Sequence, residues 1–223
     1  MTDDARTRFR AGVRLGVPFG IVGFVLSMSF GVLAREAGFT ALQVVTTSAL
    51  VFAGSAQFAA LSIAAGGGTI AAAVSAATLM NGRFLAMGIA LAPSLPGRPL
   101  WRATQGQTMV DSSWALANRG DGTFDRWVLF GTTLPQYVAW VAGGTVGALG
   151  GDLIGDPGRL GLDAVYPTFF LALLIGELRN RRAVTAALIG AGLALVLVPV
   201  APPGVPILLA AAAALIGLRK EPS

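Results

Sequence analysis

Three small groups of polar residues interrupt the apolar stretches of this sequence, and their types are those that bind a charged small molecule. The groups are Ser55 and Gln57 beside Gly54, Asn81 with Arg83, and Asp111. A guanidinium group binds a carboxylate, and an amide or a carboxylate can hold an ammonium group. A carboxylate in an apolar setting can also carry a proton. These residue types therefore favour the binding and transfer of a zwitterion or an ion.

The first group lies near the middle of an apolar run from about 41 to 65, which is long enough to cross a bilayer. On a continuous helix, Gln57 points roughly 200° away from Ser55, because each residue turns the helix by ~100°. Two polar faces on one buried helix are hard to satisfy. A break near Gly54 resolves this conflict, since both side chains and free backbone groups then face one cavity. The alternative is ordinary small-residue packing, with Gln57 bonded to a neighbouring helix.

The other two groups bring opposite charges into apolar surroundings. Arg83 lies about 14 residues into an apolar segment over 69–92, where an arginine costs ~2.5–3.5 kcal/mol or more and should face a partner or water. Its alternative is to extend to the nearer membrane surface. Of all the acidic residues, Asp111 lies most nearly at the centre of an apolar or amphipathic segment. It can pair with Arg83, bind an ammonium group or carry a proton. The alternative is that it is a hydrated Asp at the membrane interface. Asn81 points to a different face from Arg83 on a straight helix.

Catalysis is a poor interpretation of these residues. Ser55 after a glycine resembles the surroundings of an intramembrane serine nucleophile, but such a serine needs a base, usually His or Lys. The sequence has no His or Cys, and its one lysine is Lys220 near the end of the chain. Asp111 has no second acid in a comparable setting. We therefore predict no enzyme activity, no catalytic residues, no metal site and no cofactor.

The elements that must position these residues are membrane helices. Of the 223 residues, 54% are hydrophobic and only 12% are charged, against ~25% charged in an average soluble domain. Successive apolar runs of about 20 residues predict an all-α, polytopic integral membrane protein with seven to eight transmembrane helices. The whole chain, 1–223, is expected to form one transmembrane domain.

Charge predicts the orientation of these helices. Basic residues cluster before the first span, at 179–182 and at 219–220, whereas the loop over 152–163 is acidic. The positive-inside rule then places the N-terminus in the cytoplasm. The net charge of +5 is explained in the same way, and we predict no nucleic-acid partner. The segment 101–118 is ambiguous, because its polar residues form one helical face and because an eight-span arrangement would leave Arg98 and Arg102 outside.

Glycine spacing predicts close helix packing and a possible internal repeat. Small residues share one face of the first span: Gly16, Gly20, Gly23, Ser27 and Gly31. Gly143, Gly147 and Gly151 form two GxxxG steps in a later span, which lets another helix approach closely. Both 15–65 and 127–178 consist of a glycine-striped span, a polar loop and a Phe-containing span. Repeats are frequent in transporters, although Gly-rich helix pairs also resemble one another by chance.

Several short motifs resemble one family of bacterial permeases. Phe-Ala-Gly-Ser-Ala-Gln-Phe at 52–58 is similar to a motif in the large subunit of branched-chain amino acid exporters, the AzlC-like permeases. Met-Asn-Gly-Arg-Phe at 80–84 and Val-Asp-Ser-Ser-Trp-Ala-Leu at 110–116 resemble later elements of that family, as do 137–147 and 160–169. Two positions depart from the pattern: Ser112 stands where the family often has Glu, and Gly82 where it often has a larger apolar residue.

The resemblance implies export of leucine, isoleucine, valine and, as a further candidate, methionine across the bacterial inner membrane, with a small AzlD-like partner subunit. With the residues above, we expect Arg83, or a free helix N-terminus near Gly54, to bind the substrate carboxylate, and we expect Ser55 and Asn81 also to contact the substrate. Asp111 and Gln57 would hold the ammonium group, and an apolar pocket would be lined by Phe52, Phe58, Phe84 or Trp114. With no nucleotide-binding motif, an ion gradient is the expected drive and Asp111 the expected proton carrier. The alternative is a non-transporting membrane scaffold for a partner that carries the substrate path.

Overall fold

The protein is helical throughout the part of the chain that the computed structural model describes. That part comprises 2–154, 181–201 and 205–213, together with Ala164, Thr168, Leu171, Leu174, Ile175 and Leu178. The helices are α1 (Asp3–Glu36), α2 (Ala41–Leu50), α3 (Gly54–Ala65), α4 (Ile70–Leu91), α5 (Pro99–Gly106), α6 (Asp111–Ala117), α7 (Arg126–Ile154), α8 (Arg181–Leu197) and α9 (Val205–Ala211). Apart from an isolated bridge between Asn118 and Phe124, the described residues form no β-structure. The predicted all-α class is confirmed.

These helices form two compact units. The first contains Met1–Gly54 and Asn81–Gly155, and the second contains Ser55–Met80 and Asp156–Ser223. Within the second unit, α3 packs on the first half of α4 through Ala59, Ile63 and Ala76, and α8 packs against α9. Most of the acidic loop over 152–163 lies outside the described residues, as does most of the later part of the second suggested repeat, from 155 to 178. One transmembrane domain over 1–223 stays a prediction.

Two of the described helical segments are long and apolar enough to cross a membrane. They are α1, with 34 residues, and Ile70–Ser94, with 25 residues, which joins α4 to a short 3-10 turn. Large apolar side chains on these segments are exposed, among them Ile21 at 64% and Leu85 at 72%. Apolar surface of this extent is stable only when lipid or another protein covers it. The surface therefore agrees with an integral membrane protein.

The first unit is built on α1 and α7, which lie side by side and run in the same direction. The residues in contact advance in the same order along both helices, from Gly12 beside Val128 to Gly31 beside Gly144. A Cβ atom added at Gly31 would lie 2.5 Å from the Gly144 carbonyl oxygen, closer than real Cβ atoms come. The glycines thus allow backbone-to-backbone packing. Of the predicted face on α1, Gly23 is the exception, because the nearest atom to its Cβ position is 3.7 Å away.

The predicted break near Gly54 is confirmed. Helix α2 starts at a capping box, in which Thr40 and Gln43 satisfy each other's backbone N–H groups. It ends at Leu50, and α3 starts at Gly54. Between them Phe52 adopts φ 42°, a left-handed conformation that side-chain-bearing residues seldom take. The apolar run over 41–65 is therefore two short helices, of 10 and 12 residues, in place of one spanning helix.

A second break divides the segment 101–118, where we expected one helix with one polar face. Helices α5 and α6 have 8 and 7 residues, so each is about 10–12 Å long, against ~30 Å for the hydrocarbon core. Ser112 donates a hydrogen bond to the Gln136 side chain, 2.7 Å away in the middle of α7. At the other end of α6, the Asp125 N–H donates to the Ala117 carbonyl, so α6 runs back towards the start of α7. We call α5 and α6 the hairpin and residues 107–110 its tip.

The loop before the hairpin, which carries Arg98, lies close to the start of α7. The Phe124 N–H, just before α7, donates to the hydroxyl of Ser94, in the 3-10 turn that follows α4, over 3.0 Å. Pro96 and Trp101 line a small cavity together with Arg126 and Trp127. The loop that carries Arg98 therefore lies at the end of the unit where α7 begins. We call this the basic end.

Candidate functional site

Arg83 and Asp111 form an ion pair that joins the middle of α4 to the hairpin. Arg83 Nη2 lies 2.8 Å from Asp111 Oδ2, and their side chains are 37% and 56% exposed. Asp111 is the first residue of α6, so the carboxylate projects beside the tip of the hairpin. Exposed pairs in water contribute only about 0–1 kcal/mol to stability. The pairing that the sequence suggested is confirmed, and both charges are accessible to a ligand.

Asn81 lies on a different face of α4 from Arg83, as its spacing predicted, and lines a cavity of about 660 Å³. This cavity, which we call the α4–α5 cavity, is bounded by the second half of α4, by α5 and by the break after α2. The lining side chains used below are Phe52, Asn81, Phe84, Leu85, Ile89, Arg102, Gln107 and Met109. The Asn81 Oδ1 atom is buried and has no hydrogen-bond donor among the described residues. A cavity of this size falls in the range that holds small organic ligands.

Tyr137 of α7 supports the break after α2. A helix leaves its last carbonyl groups without an intrahelical donor, and α2 ends early at Leu50. The Tyr137 hydroxyl supplies a donor, because it hydrogen-bonds the Ala49 carbonyl at 3.0 Å. The same ring contacts Phe52 edge to face, with 5.1 Å between ring centroids. Tyr137 thus holds both the free end of α2 and the residue in the left-handed conformation.

Trp140, three residues further along α7, packs against Gly54. A Cβ atom at Gly54 would lie 2.7 Å from Cη2 of the indole ring, which is itself buried. A residue larger than glycine therefore requires the indole to move. This contact indicates that Gly54 allows the Trp140 indole to approach the backbone closely. That Gly54 contacts the substrate stays a prediction.

The remaining predicted site residues belong to the second unit. Ser55, Gln57 and Phe58 lie in the first turns of α3, and they are 2%, 3% and 0% exposed. Burial of Ser55 and Gln57 together shows that the break did not turn either side chain out to solvent. Binding of substrate by these three residues stays a prediction.

Sequence reasoning missed three residues of this region, Arg102, Gln107 and Thr133, whereas Phe52 was among those expected to line an apolar pocket. Phe52 and Gln107 line both the α4–α5 cavity and a second cavity of about 460 Å³, which Thr133 and Tyr137 also line. The hairpin tip and the α2 break thus meet at these two cavities. The available signal was Gly106, a helix-weakening residue at the end of α5, but polar residues at helical spacing on either side of it obscured the break.

A charged cluster closes the basic end of the first unit. Asp125 accepts hydrogen bonds from Arg8 at 3.0 Å and from Arg119 at 2.9 Å, and its other oxygen caps α7 by accepting from the Trp127 N–H. Burial of this carboxyl works to raise its pKa, but the hydrogen bonds from Arg119, the Val128 N–H, Arg8 and the Trp127 N–H outweigh it. The pKa of Asp125 is therefore held below its ordinary value.

No group of three or more acidic residues comes together within the described part of the chain. The site chemistry that the geometry offers is one ion pair, one additional arginine, and amide groups around apolar cavities.

Comparison with known proteins places the chain in a family. Residues 18–154 match the family model described as AzlC protein. The chain is 28% identical over 195 residues to the branched-chain amino acid transport protein AzlC of Bacillus subtilis, covering 84% of this chain and 76% of that protein. It is 28% identical over 210 residues to the inner membrane protein YgaZ of Escherichia coli, covering 86% and 84%.

A third relative is an uncharacterized membrane protein of Archaeoglobus fulgidus, 30% identical over 190 residues and covering 84% of this chain and 83% of the relative. No solved structure matches significantly. Two of these relatives are named as membrane proteins, which agrees with the apolar surface described above. Because the family model covers more than half of the sequence, this membrane protein belongs to the AzlC family.

Proposed function

We propose that this protein exports branched-chain amino acids by secondary active transport. The observation that carries the proposal is the Arg83–Asp111 ion pair, which lies open beside the hairpin tip. An amino acid zwitterion presents the same two charges. Its carboxylate can replace Asp111 on the guanidinium, and its ammonium group can replace Arg83 on the carboxylate, so that ligand binding exchanges one ion pair for two. The name of the Bacillus subtilis relative supports a branched-chain substrate.

The surroundings of the pair suit an aliphatic side chain. Phe84 lies beside Arg83, whose guanidinium carbon is 5.1 Å from the ring centroid. Trp114 follows Asp111 by one helical turn and donates its indole N–H to the Met87 carbonyl. Each buried methylene group contributes only ~0.8 kcal/mol. Discrimination among leucine, isoleucine and valine should therefore be loose, and methionine should be accepted.

Direction, drive and partner complete the proposal. The basic end carries Arg8, Arg98, Arg119 and Arg126, and the positive-inside rule assigns it to the cytoplasm, together with the N-terminus. We place the chain in the inner membrane as a multi-pass protein that acts with a small AzlD-like subunit. Asp111 is the proposed proton carrier, because its pairing with Arg83 allows a proton and a substrate to compete for one carboxylate. Gln57, Ser55 and Gly54 stay candidates for contact with the substrate.

Efflux from cells loaded with labelled leucine tests the proposal, with membrane abundance measured in parallel. Neutralising both charges in Arg83→Gln/Asp111→Asn should lower efflux at least about tenfold, because each lost charged hydrogen bond costs about 1.5–3 kcal/mol. Arg98→Gln is the matched control, because it also removes an arginine, but one that lies at the basic end and not in the proposed site. Normal efflux in the double variant would refute the site. A proton uncoupler should abolish efflux by the wild-type protein.

A scaffold role is the alternative, and the tightly packed α1–α7 pair favours it. In that case leucine efflux should be normal in Arg83→Gln/Asp111→Asn and also in the single variants Asp111→Ala and Gln57→Ala. Packing variants such as Gly31→Leu would instead remove both this protein and its partner from the membrane. Loss of efflux in the site variants at unchanged abundance would rule out the scaffold role.

A further inference from the structure

Arg102 gives the α4–α5 cavity a positive charge that is separate from the Arg83–Asp111 pair. Among the described residues that line this cavity, Arg102 is the charged one, and its other polar lining residues are the amides Asn81 and Gln107. None of the described lining residues carries a carboxylate. Asp111 lies on the side of α4 where Arg83 projects, and it is not part of the cavity wall.

Arg102 differs from other arginines of the first unit in its hydrogen bonding. Its Nε atom is buried without an acceptor among the described residues. By contrast, Arg8 and Arg119 both bond to Asp125, and Arg83 bonds to Asp111. A buried donor without an acceptor is unfavourable, because it has lost its hydrogen bonds to water and gained none in return. The cavity is therefore poised to gain from a ligand that brings an acceptor to this arginine.

The chemistry of the wall defines that ligand. A guanidinium group binds a carboxylate through paired hydrogen bonds. Much of the remaining cavity wall is apolar, with Phe84, Leu85, Ile89 and Met109, and suits an aliphatic body. A ligand ammonium group would lose its hydration here without meeting a carboxylate, which is unfavourable. A 2-oxo acid has the carboxylate and the aliphatic body but no ammonium group.

We propose that the α4–α5 cavity is a binding site for aliphatic monocarboxylates, with Arg102 as the residue that binds the carboxylate. The site is distinct from the zwitterion site of the proposed function and does not depend on it. Branched 2-oxo acids, the deaminated forms of branched-chain amino acids, fit its charge and polarity. The buried Oδ1 of Asn81 offers one further acceptor, for a hydroxyl group or a water molecule.

The test is equilibrium binding of labelled 4-methyl-2-oxopentanoate to the purified full-length protein in lipid nanodiscs. We expect saturable binding that unlabelled leucinamide, which lacks a carboxylate, displaces at least about tenfold less well than the 2-oxo acid itself. Arg102→Gln should weaken binding at least about tenfold, whereas the matched variant Arg98→Gln should bind as the wild type does. Thermal unfolding of each variant confirms that it is folded.

The proposal would be overturned by an absence of saturable binding to the wild type, by equal displacement by leucinamide, or by unchanged binding to a folded Arg102→Gln variant. Arg83→Gln/Asp111→Asn separates this site from the proposed function. It should keep 2-oxo acid binding while losing leucine efflux, and loss of 2-oxo acid binding in that variant would place the anion on Arg83 instead. Absence of leucine efflux by the wild type would refute the proposed function, but it would leave the proposed carboxylate site at Arg102 unaffected.

Discussion

Gly54→Ala tests whether Trp140 fixes the start of α3. The added Cβ atom would lie 2.7 Å from Cη2 of the indole and 3.3 Å from both Cζ2 and Cζ3, whereas carbon atoms in favourable contact are ~3.5–4.0 Å apart. Trp140 is 7% exposed and cannot turn freely away. Overpacking of this kind costs about 1–3 kcal/mol. Replacing a helical glycine with alanine returns at most about 1 kcal/mol, so we expect a net destabilisation of roughly 0.5–2 kcal/mol.

The measurement is thermal unfolding of the purified variants, arranged as a double-mutant cycle with Trp140→Phe. A phenyl ring lacks the outer indole atoms that meet the added Cβ, so Gly54→Ala should cost about 1 kcal/mol less in the Trp140→Phe background. Gly192→Ala in α8 is the matched control, because no atom lies within 4 Å of its Cβ position. It should be neutral or slightly stabilising.

Two results would contradict the reasoning about Gly54. One is a Gly54→Ala variant as stable as the wild type, which would mean that the indole moves without cost. The other is strict additivity in the cycle, which would mean that the two residues do not act on each other. Leucine efflux by the stable variants then measures whether the break itself is needed for transport.

Further predictions concern α7 and the basic end. Tyr137→Phe should lower stability by about 1 kcal/mol, because the Ala49 carbonyl loses its donor; Tyr137→Leu should cost more in thermal unfolding, since the Phe52 contact is also lost. Gly31→Leu should abolish membrane accumulation on immunoblots, since α1 and α7 can no longer meet, whereas Gly150→Leu, with open space around its Cβ position, should accumulate. Because the folded pKa of Asp125 is lowered, its stabilisation is present above the unfolded value of ~3.9 and is lost as pH falls through the folded value; Asp125→Asn should flatten this acid dependence of the melting temperature.

Local polarity was sufficient to predict the first break but not its geometry. The angle between Ser55 and Gln57 indicated that one straight helix was unfavourable, and the helix does end before Gly54. However, the break occurs at Val51, Phe52 and Ala53, and both polar residues stay on α3 and buried. The position depends on Tyr137 and Trp140, which are more than 80 residues away in the chain. Contacts of that kind leave no local pattern.

The ion pair was predictable for a different reason. An arginine far inside an apolar segment is so costly that it needs a partner, and Asp111 was the acidic residue in the most similar setting. The hairpin was not predictable in this way, because Thr104, Thr108 and Asp111 keep helical spacing across the turn and imitate one continuous face. Short helices are stabilised by what surrounds them, here Gln136 of α7 and the Met87 carbonyl of α4.

The parallel direction of α1 and α7 also has an electrostatic consequence. Each helix carries the equivalent of about half a positive charge at its N-terminus, so two parallel neighbours place like partial charges side by side. Carboxylates occupy this position on both helices: Asp3 and Asp4 lie in the first turn of α1, and Asp125 caps α7. The basic end therefore depends on its few acidic residues, which offset two aligned helix dipoles as well as the arginines around them.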